Sequence, residues 1–419
     1  MGRDRTGWRP AWPGPPPPAP RERTVTPFEI FFDVVFVFAL TRIMALIGRE
    51  PTPVSMAQGL LLLVLLWFAW SSYAWLGNQT RADVGPVRAG FLVAMAALLV
   101  AALAMPAAWT SGPGLDGPLL VASAYVLLRA VHLVLYHWAG ASVPGLRARI
   151  RFFAAVSVVG WVPLLLGALL SGTPHAVLWV VAFVIEIGGQ RLSYAWRGAW
   201  PLRSASHFTE RHGLVLIIAL GESLSAAGVG AGAAVTAPPV LGMALVGLAA
   251  SVCLWWLYFA HAAPMGARAL AEAAGERRDR AAADAYSQTH LLLITGVVYL
   301  AVGIEQVLAH VTRAHHGDRA AEPNLNWPAA AALYGGAALY LAGRLLFRRF
   351  TGQPVRRDQV VVAVSAVLLL PLGRALPPAA ALGVLTVLLL AGVLVERLGG
   401  VRAERPVGMR RGAGPAGRR

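Results

Sequence analysis

Charged and imidazole side chains interrupt one of the most apolar stretches of this sequence, HFTERHGLVLIIALGES at residues 207–223. Its candidate positions are Glu210, Arg211, His212, Glu222 and Ser223. A charged group at the centre of a membrane-spanning helix costs roughly 2.5 to 3.5 kcal/mol on insertion scales. Such groups can carry protons, bind ions or pair with one another, and each of these interactions would offset that cost.

Other ionisable residues fall at helical spacing on one face of an apolar segment. Glu29 and Asp33 lie one turn apart, and Arg129 and His132 share a stripe with two tyrosines. The complete candidate pathway for protons or substrate comprises Glu29, Asp33, Arg129, His132, Glu186, Glu210, Arg211, His212, Glu222, Ser223 and Glu305. Intramembrane ionisable residues mostly line a cavity or a pathway, and a static network that holds helices together is the alternative.

Apolar helices must position these side chains. Of the 419 residues, 57% are hydrophobic and 13% are charged, which predicts an all-α integral membrane protein. Windows of about 20 residues predict twelve spans. They begin near residues 28, 57, 88, 118, 150, 175, 210, 238, 287, 328, 358 and 377. Pro371, Pro377 and Pro378 interrupt the last apolar stretch, so two spans and a re-entrant hairpin both remain open there. The polar segment 268–284 is predicted to form a solvated helix.

The net charge of +16 comes from arginine, because the sequence contains no lysine. Most arginines fall in alternate loops, and this asymmetry predicts that the N- and C-termini face the cytoplasm of a bacterial inner membrane. The charge therefore indicates topology and contact with anionic lipids at the cytoplasmic face, and nucleic acid is not needed as a partner. Residues 1–27 are predicted to be a disordered cytoplasmic tail rich in proline and arginine, and residues 399–419 an arginine-rich cytoplasmic tail.

Several chemistries are excluded by composition. Cys253 is the single cysteine, which excludes an internal disulfide and a multi-cysteine metal site. The absence of lysine excludes a Schiff base. No cofactor and no metal are predicted.

A weak internal similarity relates the first and seventh spans. PFEIFFDVVFVFALTR at 27–42 resembles TERHGLVLIIALGES at 209–223 when the two are offset by 180 residues. This offset suggests a parallel repeat of two transmembrane halves, 28–200 and 201–398, and chance similarity between apolar helices is the alternative. In the repeat Arg42 and Glu222 are equivalent positions of opposite charge, so we expect them to form an ion pair.

Three motifs carry a resemblance to a known family. FEIFFDVVFVFALTR at 28–42, WSSYAWLGNQTRAD at 70–83 and ERHGLVLIIALGES at 210–223 resemble the bacterial low temperature requirement protein A family. The resemblance implies a multi-pass inner-membrane protein linked to growth at low temperature, without an established activity. It matches the family at Glu29, Phe32, Asp33, Arg129, His132, Glu210, Arg211, His212, Gly213, Gly221, Glu222 and Ser223. The chain departs from the pattern at Arg42, where glutamine is common, and at Ala260, where an acid is frequent.

A secondary transporter or permease for an unknown small molecule or ion is the favoured function, with the proton as a candidate coupling ion. Glu222 and Glu305 would exchange protons or bind a cation, Arg129 would hold an anionic group, and Glu29 with Asp33 would line the cytoplasmic entrance. A membrane enzyme acting on a lipid or polyprenyl substrate is the second possibility, with Glu210, His212 and His207 as acid and base. A sensor or structural membrane protein is the third.

Overall fold

A computed structural model of the chain describes residue 16 and residues 18–110, 115–318 and 323–403. Of the tails predicted from the sequence, residues 1–15, 17 and 404–419 lie outside the described residues. The described part of the N-terminal tail is held by specific contacts. Pro18 pairs with Thr80, and the Ala19 N–H donates to the Gln79 carbonyl at 3.0 Å. This stretch therefore differs from the disordered tail that the sequence predicts.

Twelve helices in the described residues are long and apolar enough to cross a membrane, which confirms the predicted all-α membrane fold. They are α1 (Pro27–Arg49), α2 (Pro53–Gln79), α3 (Gly85–Ala107), α4 (Gly117–Ala139), α5 (Leu146–Ala168), α6 (Thr173–Arg197), α7 (Ala205–Ala234), α8 (Pro238–Glu272), α9 (Gly275–His315), α10 (Trp327–Phe350), α11 (Arg357–Ala375) and α12 (Pro378–Ala403). No strand forms within the residues that the structure describes.

Local sequence signals explain where the helices begin. Proline opens α1, α2, α8 and α12, where the N–H that proline lacks would have no partner inside the helix. Asp116 caps α4 by accepting the Leu119 N–H at 2.9 Å. Pro377 and Pro378 separate α11 from α12, so two helices of spanning length form where the sequence left a hairpin open.

The polar segment after α8 differs from its prediction. We expected a separate helix at 268–284 and a span beginning near 287. Instead α8 runs on to Glu272, and α9 begins at Gly275 and contains a π-helical stretch at Ala282–Gln288. The exposed Glu276 and Arg280 do form the predicted ion pair one turn apart. At about 1.5 Å per residue, α9 is roughly twice as long as the bilayer core is thick, so its polar first turns extend the span.

The chain forms two compact units. Unit 1 comprises Met1–Leu46, Ala57–Val215 and Leu270–Ser287, and unit 2 comprises Ile47–Met56, Leu216–Ala269 and Gln288–Arg419. The predicted transmembrane halves, 28–200 and 201–398, and the repeat that would relate them stay predictions.

An aromatic core fills unit 1 around α2. Trp67 and Trp70 stack with their ring centroids 4.9 Å apart, and Phe32 of α1 packs on Tyr73 at 5.1 Å. These rings are almost completely buried. The indoles of Trp67 and Trp75 donate to the carbonyl and the hydroxyl of Ser287, which lies in the π-helical stretch of α9. These tryptophans therefore serve as core packing in unit 1.

Close backbone contact between α9 and α10 organises unit 2. A Cβ atom added at Gly296 would lie 2.6 Å from the Tyr340 backbone nitrogen, and one at Gly303 would lie 2.5 Å from the Leu333 Cα. Any larger residue at either glycine would push the helices apart. Small residues allow this approach, and the resulting van der Waals contact is the main attraction between helices in lipid.

Candidate functional site

Five ionisable residues of unit 1 meet near the starts of α1 and α7. They are Arg23, Glu29, Asp33, His207 and Arg211, which we call the charge cluster. Glu29 lies in the first turn of α1 and Asp33 one turn later, while His207 and Arg211 are one turn apart on α7. The side chains of Glu29, Asp33, His207 and Arg211 have no exposed surface. The sequence predicted the α1 pair and Arg211 as candidates, and the structure brings them together.

Glu29 is the most heavily contacted member of the cluster. Its Oε1 atom lies 2.9 Å from His207 Nε2, 3.1 Å from Arg23 Nη2 and 3.6 Å from Arg211 Nη1. Its Oε2 atom accepts hydrogen bonds from the backbone N–H and the hydroxyl of Thr26 at 3.1 and 2.9 Å. Both carboxylate oxygens are therefore held, and the N-terminal end of α1 also favours negative charge at this position.

Among the described residues, only one of the two carboxylate oxygens of Asp33 accepts hydrogen bonds. Its Oδ1 atom accepts from the Trp70 indole at 2.7 Å and from Arg211 Nη2 at 3.1 Å. Its Oδ2 atom is buried and has no hydrogen-bond partner among the described residues. A buried carboxylate oxygen without a donor is costly, so Asp33 is the position in the cluster best prepared to take up a proton.

Arg211 bridges the two acids. Nη1 faces Glu29 and also donates to the Tyr73 carbonyl at 3.2 Å, while Nη2 donates to Asp33. Its guanidinium also lies over the rings of Phe32 and Trp70, 5.6 and 5.7 Å from their centroids. With Arg23 and Arg211 opposing Glu29 and Asp33, the cluster is charge-balanced when His207 is neutral. This balance offsets the cost of burying four charges.

His207 Nε2 faces two groups that demand opposite roles from it. Glu29 Oε1, at 2.9 Å, needs a proton on Nε2, whereas Arg23 Nη2, at 2.7 Å, can only donate and needs a lone pair there. One ring nitrogen cannot satisfy both at once. Asn78 Nδ2 lies 3.4 Å from the other ring nitrogen, Nδ1. The site therefore has two alternative proton arrangements of similar geometry.

Arg23 enters the cluster from the segment before α1. Its Nη2 atom donates to the Gly77 carbonyl at the end of α2 as well as contacting Glu29. Burial lowers the pKa of the Arg23 guanidinium, and the charge of Glu29 acts in the opposite direction. Arg23 therefore remains a cation at neutral pH and supplies half of the positive charge of the cluster.

Gly77 of α2 makes room for the cluster. A Cβ atom at this position would lie 2.8 Å from Glu29 Oε1 and 2.9 Å from Arg211 Nη1. Both atoms belong to buried, paired side chains that cannot swing away into solvent. A glycine is therefore required here for the salt bridge between α1 and α7 to pass beside α2.

A second buried ion pair lies deeper in unit 1. Arg129 Nε of α4 is 3.5 Å from Glu186 Oε1 of α6, and the Tyr125 hydroxyl donates to Glu186 Oε2. Arg129 Nη1 donates to the Ser72 hydroxyl of α2, one residue before Tyr73, whose carbonyl receives Arg211. Adjacent residues of α2 thus contact the charge cluster and the Arg129 pair.

The other predicted positions of unit 1 have different surroundings. His132 is buried between the rings of Tyr73 and Tyr136, at 5.5 and 5.4 Å. His212 packs edge-on against Trp70 at 5.0 Å, and its Nδ1 atom donates to the Phe208 carbonyl at 2.8 Å. Glu210 is exposed and accepts the Val25 N–H at 2.9 Å. Neither His212 nor Glu210 belongs to the charge cluster.

Three predicted residues belong to unit 2. Ser223 is buried, with its hydroxyl 2.8 Å from that of Ser251. Glu222 and Glu305 are partly exposed. The main chain of Glu305 packs against Gly230, where a Cβ atom would lie 2.4 Å from the Glu305 carbonyl oxygen. The Glu305 carboxylate packs against Gly48, where a Cβ atom would lie 2.7 Å from Glu305 Oε1. The Arg42 and Glu222 ion pair stays a prediction.

Sequence reasoning missed three members of the site. Arg23, Trp70 and Gly77 are absent from the candidate positions that the sequence predicts. A signal was available for two of them, because Trp70 and Gly77 are seven residues apart and so share a face of α2. That face is the one that meets the charge cluster.

The model of the bacterial low temperature requirement A protein family matches residues 24–394 of this chain. The chain belongs to the low temperature requirement A family. The match includes every residue of the charge cluster except Arg23, which immediately precedes it.

One relative of this chain comes from Rhizobium meliloti (strain 1021) and is described as uncharacterized. It is 27% identical over 336 residues, which cover 78% of this chain and 77% of the relative. The family and the twelve helices together establish a multi-pass membrane protein. Neither description states a chemical activity.

Proposed function

We propose that this protein is a secondary transporter of the bacterial inner membrane in which protons pass through the charge cluster. The observation that carries the proposal is the position of His207 Nε2, between Glu29 Oε1 at 2.9 Å and Arg23 Nη2 at 2.7 Å. Ionisable residues inside a membrane domain are rare and mostly mark substrate pathways or proton relays. A network that only holds helices together would not require a histidine nitrogen that faces both a hydrogen-bond acceptor and a hydrogen-bond donor.

The proton step involves one bond broken and one formed. With the proton on Nε2, His207 donates to the Glu29 carboxylate. When a second proton on Nδ1 makes the ring a cation, transfer along that hydrogen bond breaks N–H and forms O–H. The ring is then a neutral imidazole with its proton on Nδ1, and its Nε2 lone pair accepts from Arg23. Glu29 then no longer attracts Arg211 as an anion, so Arg211 binds Asp33 alone. Protonation of Asp33 would instead leave Arg211 bound to Glu29 alone.

Arg211 couples the protonation of Glu29 to that of Asp33. It is shared between two carboxylates at 3.6 and 3.1 Å, so protonation of either acid shifts it towards the other. Its Nη1 atom also holds the Tyr73 carbonyl of α2, next to the serine that binds Arg129. A movement of Arg211 is thus transmitted to the Arg129 pair through the backbone of α2.

The substrate in this proposal is a small anion that binds Arg129. Glu186 already places a carboxylate against that guanidinium, which indicates the class of ligand that would replace it. Glu222 and Glu305, both partly exposed in unit 2, are proposed as further proton or cation positions. The arginine asymmetry supports a topology with both termini in the cytoplasm, where anionic lipids are the expected neighbours.

The enzyme alternative has less support. It requires Glu210 and a histidine to act as acid and base at the interface. Glu210 instead binds the Val25 N–H, and His207 is committed to the charge cluster. A purely structural role remains the relevant competitor, because every cation in the cluster has an anionic neighbour.

Transport is tested with purified protein in proteoliposomes that contain a pH-sensitive dye. The panel comprises small carboxylates, inorganic phosphate, amino acids and monovalent cations, applied to wild type, Glu29→Gln and Glu222→Gln. The proposal predicts a solute-dependent proton flux, carried by an anion of the panel, that Glu29→Gln abolishes. A complete absence of flux across the panel with folded wild-type protein would refute it. Loss of flux in Glu222→Gln as well would show that Glu222 is also required for transport.

A further inference from the structure

A pocket in unit 1, outside the charge cluster, is lined by three arginines. Arg21 precedes α1, Arg203 lies in the connection between α6 and α7, and Arg278 lies in the first turns of α9. Gln79, Pro201 and Leu202 complete most of the wall. The cavity has a volume of about 230 Å³, which is the volume of several water molecules in the liquid and enough for a phosphate group with some bound water.

The positive charge of this pocket is not neutralised by salt bridges. Among the described residues none of the three arginines has a carboxylate within ion-pair distance, although eight other arginines do. Arg203 Nε donates to the Ala19 carbonyl and Arg278 Nη2 to the Leu202 carbonyl at 2.6 Å. The nearby Asp279 carboxylate is occupied by the Leu202 N–H at 2.8 Å. These bonds orient the guanidinium groups, and the acidic side chain of Asp279 near Arg278 offsets part of the positive charge.

Electrostatic repulsion within the pocket is visible at Arg203. Burial lowers the pKa of its guanidinium, and the positive charge of Arg21 lowers it further. Arg278 Nε is buried and has no hydrogen-bond partner among the described residues. Three like charges held together at one site are stabilised by an anion, and guanidinium groups match a phosphate with paired N–H donors.

We infer that the Arg21, Arg203 and Arg278 pocket binds a phosphate-bearing anion at the membrane surface. The pocket lies beyond the last turn of α6 and before the first turn of α7, so it opens where a helix leaves the bilayer core. Basic pockets in that position suit the phosphate of an anionic lipid headgroup, and a free phosphate ion offers the same chemistry. This inference does not depend on transport activity.

The test measures binding to the full chain in a zwitterionic detergent. Phosphatidylglycerol, phosphatidylcholine and inorganic phosphate are titrated separately, and retained lipid is counted by native mass spectrometry while the unfolding temperature is recorded. The variants are Arg21→Gln, Arg278→Gln and the matched control Arg151→Gln, an exposed arginine of α5. Arg21 is exposed and its side chain forms no salt bridge among the described residues, so Arg21→Gln keeps the test valid even if Arg278→Gln fails to fold.

We expect one phosphatidylglycerol to bind with an affinity that falls about tenfold in Arg21→Gln and in Arg278→Gln and is unchanged in Arg151→Gln. Phosphatidylcholine, which has no net charge, should not compete. If inorganic phosphate binds with the same dependence on Arg21, the anion is free phosphate; if only phosphatidylglycerol does, it is a lipid. Binding of both that is insensitive to Arg21 and Arg278 would overturn the inference, as would the absence of binding by either.

Discussion

At the scale of single residues, the charge cluster is distinguished by how its members share partners. Arg211 serves two carboxylates, Glu29 serves three cationic or imidazole groups, and His207 has two neighbours with opposite needs. Each charge depends on several others, so a substitution at one position changes the preferred proton arrangement of the rest. This sharing separates the cluster from a simple pair such as Arg129 and Glu186.

Asp33→Asn tests the charge balance. The amide can still accept from Trp70, but the cluster acquires a net positive charge inside unit 1. Removing one partner of a buried ion pair typically costs about 3–5 kcal/mol, so we expect a loss of this size in the free energy of unfolding in detergent. The matched control is Asp83→Asn, which removes the exposed pair with Arg81 and should cost about 1 kcal/mol or less. Equal losses in the two variants would contradict the role of burial.

Gly77→Ala tests the space that α2 leaves for the cluster. The new methyl group would sit 2.8 Å from Glu29 Oε1 and 2.9 Å from Arg211 Nη1, so the salt bridge must shift and stability should fall. Gly188→Ala in α6 is the control, because a Cβ atom there meets nothing within 4 Å. Alanine favours a helix over glycine by about 1 kcal/mol, so the control should be neutral or more stable. A stabilised Gly77→Ala variant would show that the close approach is absent.

At the scale of helices and connections, α2 organises unit 1 through its final turn. The Asn78 side chain accepts the Arg203 N–H at 2.8 Å and the Ser204 N–H at 3.2 Å, and donates to the Ser204 carbonyl at 2.7 Å. Ser204 immediately precedes α7, and its hydroxyl accepts the His207 N–H at 3.3 Å. Asn78 thereby determines where α7 starts and hence where His207 and Arg211 point.

Asn78→Ala should loosen the start of α7. Three hydrogen bonds to the connection are lost, and each buried group left without a partner costs about 1–3 kcal/mol. We expect faster hydrogen exchange in peptides covering 203–209, with peptides from α4 unchanged as the internal control. Unchanged exchange at 203–209 would mean that packing alone positions α7.

A buried ion pair in unit 2 provides a contrasting, structural case. Glu396 Oε1 of α12 lies 2.5 Å from Arg344 Nη2 of α10 and accepts from Gln359 of α11 at 2.9 Å, so three helices are tied by one carboxylate. The sequence does not predict this ion pair, because the last three helices contain few residues that match a recognised motif.

Glu396→Gln should leave Arg344 buried without a counter-charge and cost about 3–5 kcal/mol of unfolding free energy. The double variant Glu396→Gln with Arg344→Met should recover most of that loss, since a static pair can be replaced by neutral groups. The measurement is a double-mutant cycle of unfolding in detergent. A double variant as unstable as the sum of the single variants would indicate that the two residues do not act as a pair.

At the scale of the whole molecule, hydropathy predicted the twelve helices because span length is a local property of sequence. Helical spacing likewise predicted that Glu29 and Asp33 share a face. Contacts such as Arg23 with His207, 184 positions apart, depend on how helices pack, and no periodicity within one helix reveals them. For the same reason, periodicity within single helices does not predict the pocket formed by Arg21, Arg203 and Arg278.

The central claim is that the charge cluster carries protons and is not merely a clamp between α1 and α7. It is tested most directly by proton flux through Asp33→Asn and Asp33→Glu in proteoliposomes, at a temperature where calorimetry shows both variants to be folded. The account predicts that Asp33→Asn, which cannot take up a proton, abolishes solute-driven flux and that Asp33→Glu retains part of it. Flux at the wild-type rate in folded Asp33→Asn protein would contradict the account and leave the cluster a structural element.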